Sequence, residues 1–328
     1  MASDAGARAS DPELAARYER AVARLVARAE EDVNVLAVVL FGSLAYDTVW
    51  QRSDVDLMII TREHKPLPGA KRFVRSLALV EEEVNVHAFV LTRSHFKQLI
   101  EGSLQSSPIH SSFARSRLVY SRDDSLRSLW HDVERLGSRD RALQLFQAAV
   151  SAVPPLDKAE KYCRVKDDPR YAFLWLSRAY AGLAQIEVYR HGEVADREVL
   201  QRAVELNPDF FGPIYLQLID RPKTRRRLER ALAAADAYLS AGIPEVFAPL
   251  LDYLAERRTV CSATELESHF ERRLGIGGVV TACEWLAEKG VLVKASAPLR
   301  LTRTSRATFD ELAFLYHPDA DDPDALPL

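Results

Sequence analysis

The sequence predicts an α+β chain of several domains, and three changes in hydrophobic patterning carry that expectation. Through about residue 125, short runs rich in Val, Ile and Leu alternate with stretches of helical periodicity. Over residues 126–242 the apolar positions recur only at three- and four-residue spacing, in segments broken by prolines. Residues 243–306 show a third pattern, helices followed by a short hairpin. Residues 307–328 are acidic and Pro-rich towards their end, the composition of a flexible tail.

In the first segment, Asp11-Pro12 starts a helix with Pro in its first turn. Leu14, Tyr18, Val22 and Leu25 carry that helix to about Glu31. Val35–Phe41 reads as a strand, Leu44–Trp50 as a short helix, and Val55–Thr61 as a second strand. Lys71–Leu79 reads as a helix, Val84–Leu91 as the third strand, Ser94–Glu101 as a Ser-capped helix, and Val119–Tyr120 as an edge strand. The expectation is a small mixed sheet with helices on one face.

The chemistry concentrates in residues 41–57. An apolar strand ends in Gly42-Ser43, and ten residues later Asp54 and Asp56 head a second apolar run. Alternate strand residues share a face, so these aspartates point the same way, roughly 6.6 Å apart along the strand. Carboxylates that close repel unless a cation lies between them or one is protonated. Mg²⁺ suits such oxygen ligands and commonly adds phosphate oxygens. Gly42-Ser43 allows close backbone approach at the start of a helix, where free N–H groups favour phosphate.

Gly-Ser, a ten-residue spacer and Asp-x-Asp resemble the signature of the DNA polymerase β-like nucleotidyltransferase superfamily, in its bacterial aminoglycoside and minimal nucleotidyltransferase branch. The resemblance covers about residues 30–120. It implies that Gly42 and Ser43 contact a triphosphate and that Asp54 and Asp56 are catalytic and hold Mg²⁺ or Mn²⁺. Arg52, inside the spacer, and Lys161, on a later helix, are further nucleotide-binding candidates. The family's third carboxylate stands on a later strand, where this sequence has Val-Glu-Glu-Glu-Val-Asn-Val-His. His87 or Asn85 takes its place. Glu83 shares their face and reaches the site if the strand is shifted or bulged. His87 is a suitable general base because its reference pKa lies near neutrality. Glu160 or Asp167 is an alternative source of the acid.

The helical segment resembles the domain that lines the acceptor pocket in the aminoglycoside-modifying branch. Pro154-Pro155, Asp168-Pro169, Asn207-Pro208 and Arg221-Pro222 separate its helices. Arg221–Arg230 is the densest basic run, with six cations and one anion, and offers a grip for a polyanion such as RNA. In the C-terminal segment, Val246–Glu256, a capped helix from Ser262 and Gly277–Glu288 precede a hairpin of Val291–Val293 and Leu299–Thr302. That order resembles a winged helix-turn-helix. The third helix, counted with Lys289 just after it, has one cation and two acids, which favours a protein contact or lid over reading of DNA bases.

Composition excludes other classes. A net charge of −3 argues against a nucleic-acid coat, and no apolar stretch is long enough for a bilayer. Cys163, Cys261 and Cys283 are widely separated and lack zinc spacing, as expected in a reducing, cytoplasmic setting. Residues 1–15 are polar, unlike a secretory signal. The expected function is Mg²⁺-dependent transfer of an NMP group, AMP from ATP foremost, to a hydroxyl on a small molecule, RNA or protein. The alternative is a catalytically degenerate nucleotide-binding regulator acting through its C-terminal domain on DNA or a protein.

Overall fold

The computed structural model of the chain describes residues 12–46, 53–64, 75–103, 116–133, 138–195 and 198–316. They fall into two compact units, Met1–Leu136 and Gly137–Leu328. No helix among the described residues is long and apolar enough to cross a membrane.

In the first unit, helix α1 (Pro12–Glu31) turns Tyr18, Ala21 and Val22 inward. Strand β1 (Val35–Phe41) is apolar along its length because both its faces are covered. A 3₁₀ turn at Ser43–Tyr46 follows, then β2 (Val55–Thr61), β3 (Arg75–Glu81) and β4 (Val84–Thr92). Helix α2 (Arg93–Ser103), β5 (Arg117–Ser121) and α3 (Asp124–Val133) complete the unit. The strands lie in the order β3-β4-β2-β1-β5, with β2 and β4 parallel and all other neighbours antiparallel. Tyr18 and Val22 pack against Val38, Leu40, Leu57 and Val86 on one face. Phe96 of α2 and Leu126 and Trp130 of α3 pack with Val39, Ile60 and Leu91 on the other. Helices therefore cover both faces, not the one face expected.

The helix expected at Lys71–Leu79 is, over its described residues, a strand. Leu77, Ala78 and Leu79 have strong helical propensity, but pairing of Arg75–Glu81 with β4 overrides it. The Glu82-Glu83 turn between the strands has φ of 48° and 62°, without Gly or Asn to advertise it. Arginines at four-residue spacing on α1 hold that end of the hairpin. Arg24 pairs with Glu82 at 2.6 Å, and Arg28 pairs with the buried Glu81 at 2.8 Å.

The second unit starts with α4 (Ser138–Arg164), which continues through Pro154-Pro155, where a break was expected. Two prolines remove two helical N–H donors. Continuity rests on packing, because Phe146, Ala149 and Val153 join one core with Leu176, Tyr180 and Leu183 of α5 (Pro169–Arg190). A Cβ at Gly182 would lie 2.7 Å from the Ala148 carbonyl oxygen, so only glycine lets these helices approach so closely. There follow α6 (Val199–Leu206), α7 (Pro208–Phe211), a π turn (Gly212–Leu216) and α8 (Gln217–Asp220). Next come α9 (Arg225–Ala241), α10 (Ile243–Val246) and α11 (Ala248–Arg257).

The unit ends with β6 (Cys261–Ser262), α12 (Ala263–Leu274), α13 (Val279–Glu288), β7 (Val293–Leu299) and β8 (Phe309–Leu315). These strands form an antiparallel sheet in the order β6-β8-β7. The hairpin turn expected at residues 295–298 lies inside β7, whose Pro298 is tolerated on an edge strand. The return strand is Phe309–Leu315, not Leu299–Thr302, and it lies in residues expected as tail. Burial explains the choice: Ala313 and Phe314 are fully buried, whereas Leu301 is exposed. One buried cluster runs from Leu145 to Phe314, through the helical array and the small sheet.

Candidate active site

Strand register assembles the site. Asp56, second residue of β2, lies opposite Phe41 of β1 on one side and His87 of β4 on the other. Gly42 follows Phe41 directly, so the glycine and the carboxylate meet at the same end of the sheet. Gly42 has φ of 79°, and a Cβ placed on it would lie 2.2 Å from Asp56 Oδ2. The backbone thus occupies space that only glycine leaves open, in a conformation that favours glycine.

Asp54, just before β2, adds a second carboxylate. Asp54, Asp56 and His87 each offer a ligand atom, and these atoms all lie within 4.8 Å of one another. Asp54 is exposed and the other two are partly buried. His87 Nδ1 faces Asp56 Oδ1 at 3.7 Å, and its Nε2 shares a hydrogen bond with Ser76 Oγ at 2.7 Å. The rings of His87 and Phe89 are 4.5 Å apart, and those of Phe89 and Phe41 are 6.0 Å apart, so the polar group borders an aromatic flank. Behind it, the buried Tyr18 donates its hydroxyl to the Ser53 carbonyl at 2.5 Å, fixing the backbone that carries Asp54.

Of the residues singled out in the sequence, Gly42, Asp54, Asp56 and His87 come together. Ser43 opens the 3₁₀ turn next to Gly42, its side chain outside the described set, as is all of Arg52. Asn85 is an exposed residue of β4. Glu83 lies in the hairpin turn with φ of 62°, beyond the strand and outside the three-residue group. Lys161 is exposed in the last turn of α4, in the second unit. Glu160 pairs with Arg164 at 3.0 Å and Asp167 with Arg225 at 3.4 Å. Sequence reasoning missed Ser76 and Tyr18. Ser76 carried a signal only if residues 75–81 were read as a strand, and Tyr18 was visible only as a core residue.

Comparison with known proteins gives the domain a class. Residues 24–125 match the family model described as polymerase beta, nucleotidyltransferase. No curated protein matches the chain. Among solved structures, a nucleotidyltransferase-like protein from Exiguobacterium sibiricum is similar at a TM-score of 0.61 and 16% identity. The match covers 91% of this chain and 99% of that one, and at such low identity it is a likeness of fold. Residues 24–125 are a polymerase β-like nucleotidyltransferase domain, and that domain implies a transferase.

Proposed function

We propose that the protein transfers an NMP group, AMP foremost, from a nucleoside triphosphate to a hydroxyl acceptor, using a divalent cation held by Asp54 and Asp56. The observation that carries this reading is the meeting of Gly42, with a backbone only glycine allows, and the Asp54–Asp56–His87 group. The donor set fits the cation. The Asp54 and Asp56 carboxylate oxygens lie within 4.8 Å of each other and need only small side-chain rotations to share one ion, with the His87 imidazole beside them.

When bound, Mg²⁺ or Mn²⁺ would offset triphosphate charge and polarise the phosphorus that is attacked. The backbone N–H groups at Gly42-Ser43 are the chain's own phosphate donors. Beside the carboxylates, His87 stands in for the third acid. With Nε2–H donated to Ser76, Nδ1 keeps its lone pair and faces the carboxylates. From there it takes the acceptor hydroxyl's proton as the oxygen bonds to the α-phosphorus and pyrophosphate departs. The resulting imidazolium is stabilised by Asp56 beside it. Glu83, in the turn, has no part in this scheme.

The test is a screen of ATP, GTP, CTP and UTP with Mg²⁺ or Mn²⁺ for pyrophosphate release against a cell extract, with mass spectrometry of the product. One triphosphate should release pyrophosphate, and a product should gain the mass of its NMP. Nucleotide binding with no release under any condition would instead favour the degenerate regulator.

We also infer a winged helix-like arrangement for residues 248–315. The order helix, strand, helix, helix, strand, strand, with its β6-β8-β7 sheet, supports it. Helix α13 contains no Lys or Arg and carries Glu284 and Glu288, which favours a protein contact over base reading.

A further inference from the structure

We propose that the second unit carries a phosphate-binding groove, between the π turn and α9, whose recognition residues are Arg221, Arg227 and Arg230. The proposal is independent of nucleotidyl transfer. The three arginines line one cavity of about 170 Å³, whose other lining residues are apolar apart from Gln217. Arg227 and Arg230 stand three residues apart on α9 and so share a side of the helix, and Arg221 enters from the preceding loop. No carboxylate lines the cavity.

Among the described residues these charges lack internal compensation. Their neighbour Arg225 is answered by Glu229 at 2.9 Å and Asp167 at 3.4 Å. Arg227 gives one N–H to the Pro222 carbonyl at 3.0 Å and makes no ion pair among the described residues. Arg221 and Arg230 make no ion pair among the described residues. Arg225, Arg226 and Arg227 also fill the first turn of α9, where the helix dipole favours acids and repels cations. A bound anion would offset both costs.

The opposite wall is built rather than loose. The buried Tyr180 donates its hydroxyl to the Ile214 carbonyl at 2.5 Å, holding the π turn that shapes the groove. Such turns recur at functional sites. The cavity is roomy enough for a phosphate group, and three guanidinium groups line it without a carboxylate among the lining residues. Its ligand is therefore the phosphate of a monoester or diester, belonging to a small phosphorylated molecule or to an RNA backbone.

The experiment titrates the full chain, in EDTA to silence the cation-dependent site, with inorganic phosphate by calorimetry and with a labelled single-stranded 12-nucleotide RNA by anisotropy. R221Q/R230Q should weaken binding at least tenfold, whereas R272Q/R303Q, on exposed arginines elsewhere, should stay within twofold. Far-UV circular dichroism checks that each variant is folded, and R227Q alone provides a third reading. If RNA is the source, its affinity should fall with salt at a slope of about −2 for three contacts, and phosphate should compete. If a small molecule is the source, phosphate should bind and the RNA should gain nothing over it. The proposal is overturned if neither probe binds the natural protein, or if R221Q/R230Q binds within twofold of it.

Discussion

Gly42 and Asp56 lie so close that no Cβ fits between them, which makes Gly42→Ala the sharpest single-residue probe of the site. The methyl group must displace the carboxylate, and the left-handed backbone adds about 1–2 kcal/mol of strain. We expect a lowered denaturation midpoint and at least a tenfold loss of pyrophosphate release, read by urea unfolding and a turnover assay. His87→Ala should lower kcat about 10²–10⁴-fold, the usual span for a lost general base, while nucleotide affinity holds. Ser76→Ala should give a smaller kcat loss in the same direction, and a change in nucleotide affinity alone would refute the positioning role. The sequence made Gly42, Asp54, Asp56 and His87 legible because glycine before a helix and acids heading a strand are locally costly unless used. Ser76 was hidden because its partner is reached through strand pairing, and Tyr18 because its hydroxyl bonds to a backbone carbonyl.

Among the elements, the β3–β4 hairpin was the least legible. Its turn residues are glutamates, tied to Arg20, Arg24 and Arg28 of α1 by a long-range ion-pair row that no local pattern encodes. This gives a test that separates Glu83 from the site. Glu83→Gly relieves a left-handed residue and should raise stability by about 1 kcal/mol with turnover unchanged; loss of turnover would return Glu83 to the catalytic set. In the second unit, α5 buries Glu187, whose Oε2 accepts from Tyr238 at 2.7 Å and Asn207 at 3.1 Å. Burial and this carboxylate together push the Tyr238 hydroxyl well above its ordinary pKa. Glu187→Ala strands both donors and should cost about 2–3 kcal/mol in denaturant unfolding. The prolines of α4 misled in a different way, because helix-breaking chemistry was outweighed by packing along Phe146, Ala149 and Val153.

At the scale of the whole molecule, each buried cluster is drawn from one unit. Residues 137–328 should therefore unfold cooperatively when expressed alone, and a non-cooperative melt would contradict this. Its thiols report on that core. Cys163, Cys261 and Cys283 are all buried, so a thiol reagent at pH 8 should label none in the native protein and all three after denaturation. Burial pushes the Cys283 thiol up to about 12 from its ordinary 9.0. Only the unfolded chain ionises above about pH 9, so this contribution to stability is full below that pH and is lost between about 9 and 12. The α+β class and the order sheet, helices, small sheet were legible in hydrophobic period. The return strand Phe309–Leu315 was not, because acidic residues follow it closely and a nine-residue connection, rather than a tight turn, joins it to β7.

The most direct measurement of the central claim is a Mn²⁺ titration followed by electron paramagnetic resonance, in the presence of ATP, on the natural protein and on Asp54→Asn/Asp56→Asn. The natural protein should remove Mn²⁺ signal beyond what ATP alone removes, and the double variant should lose this capacity by at least tenfold while staying folded. Equal Mn²⁺ uptake by both proteins would contradict the claim.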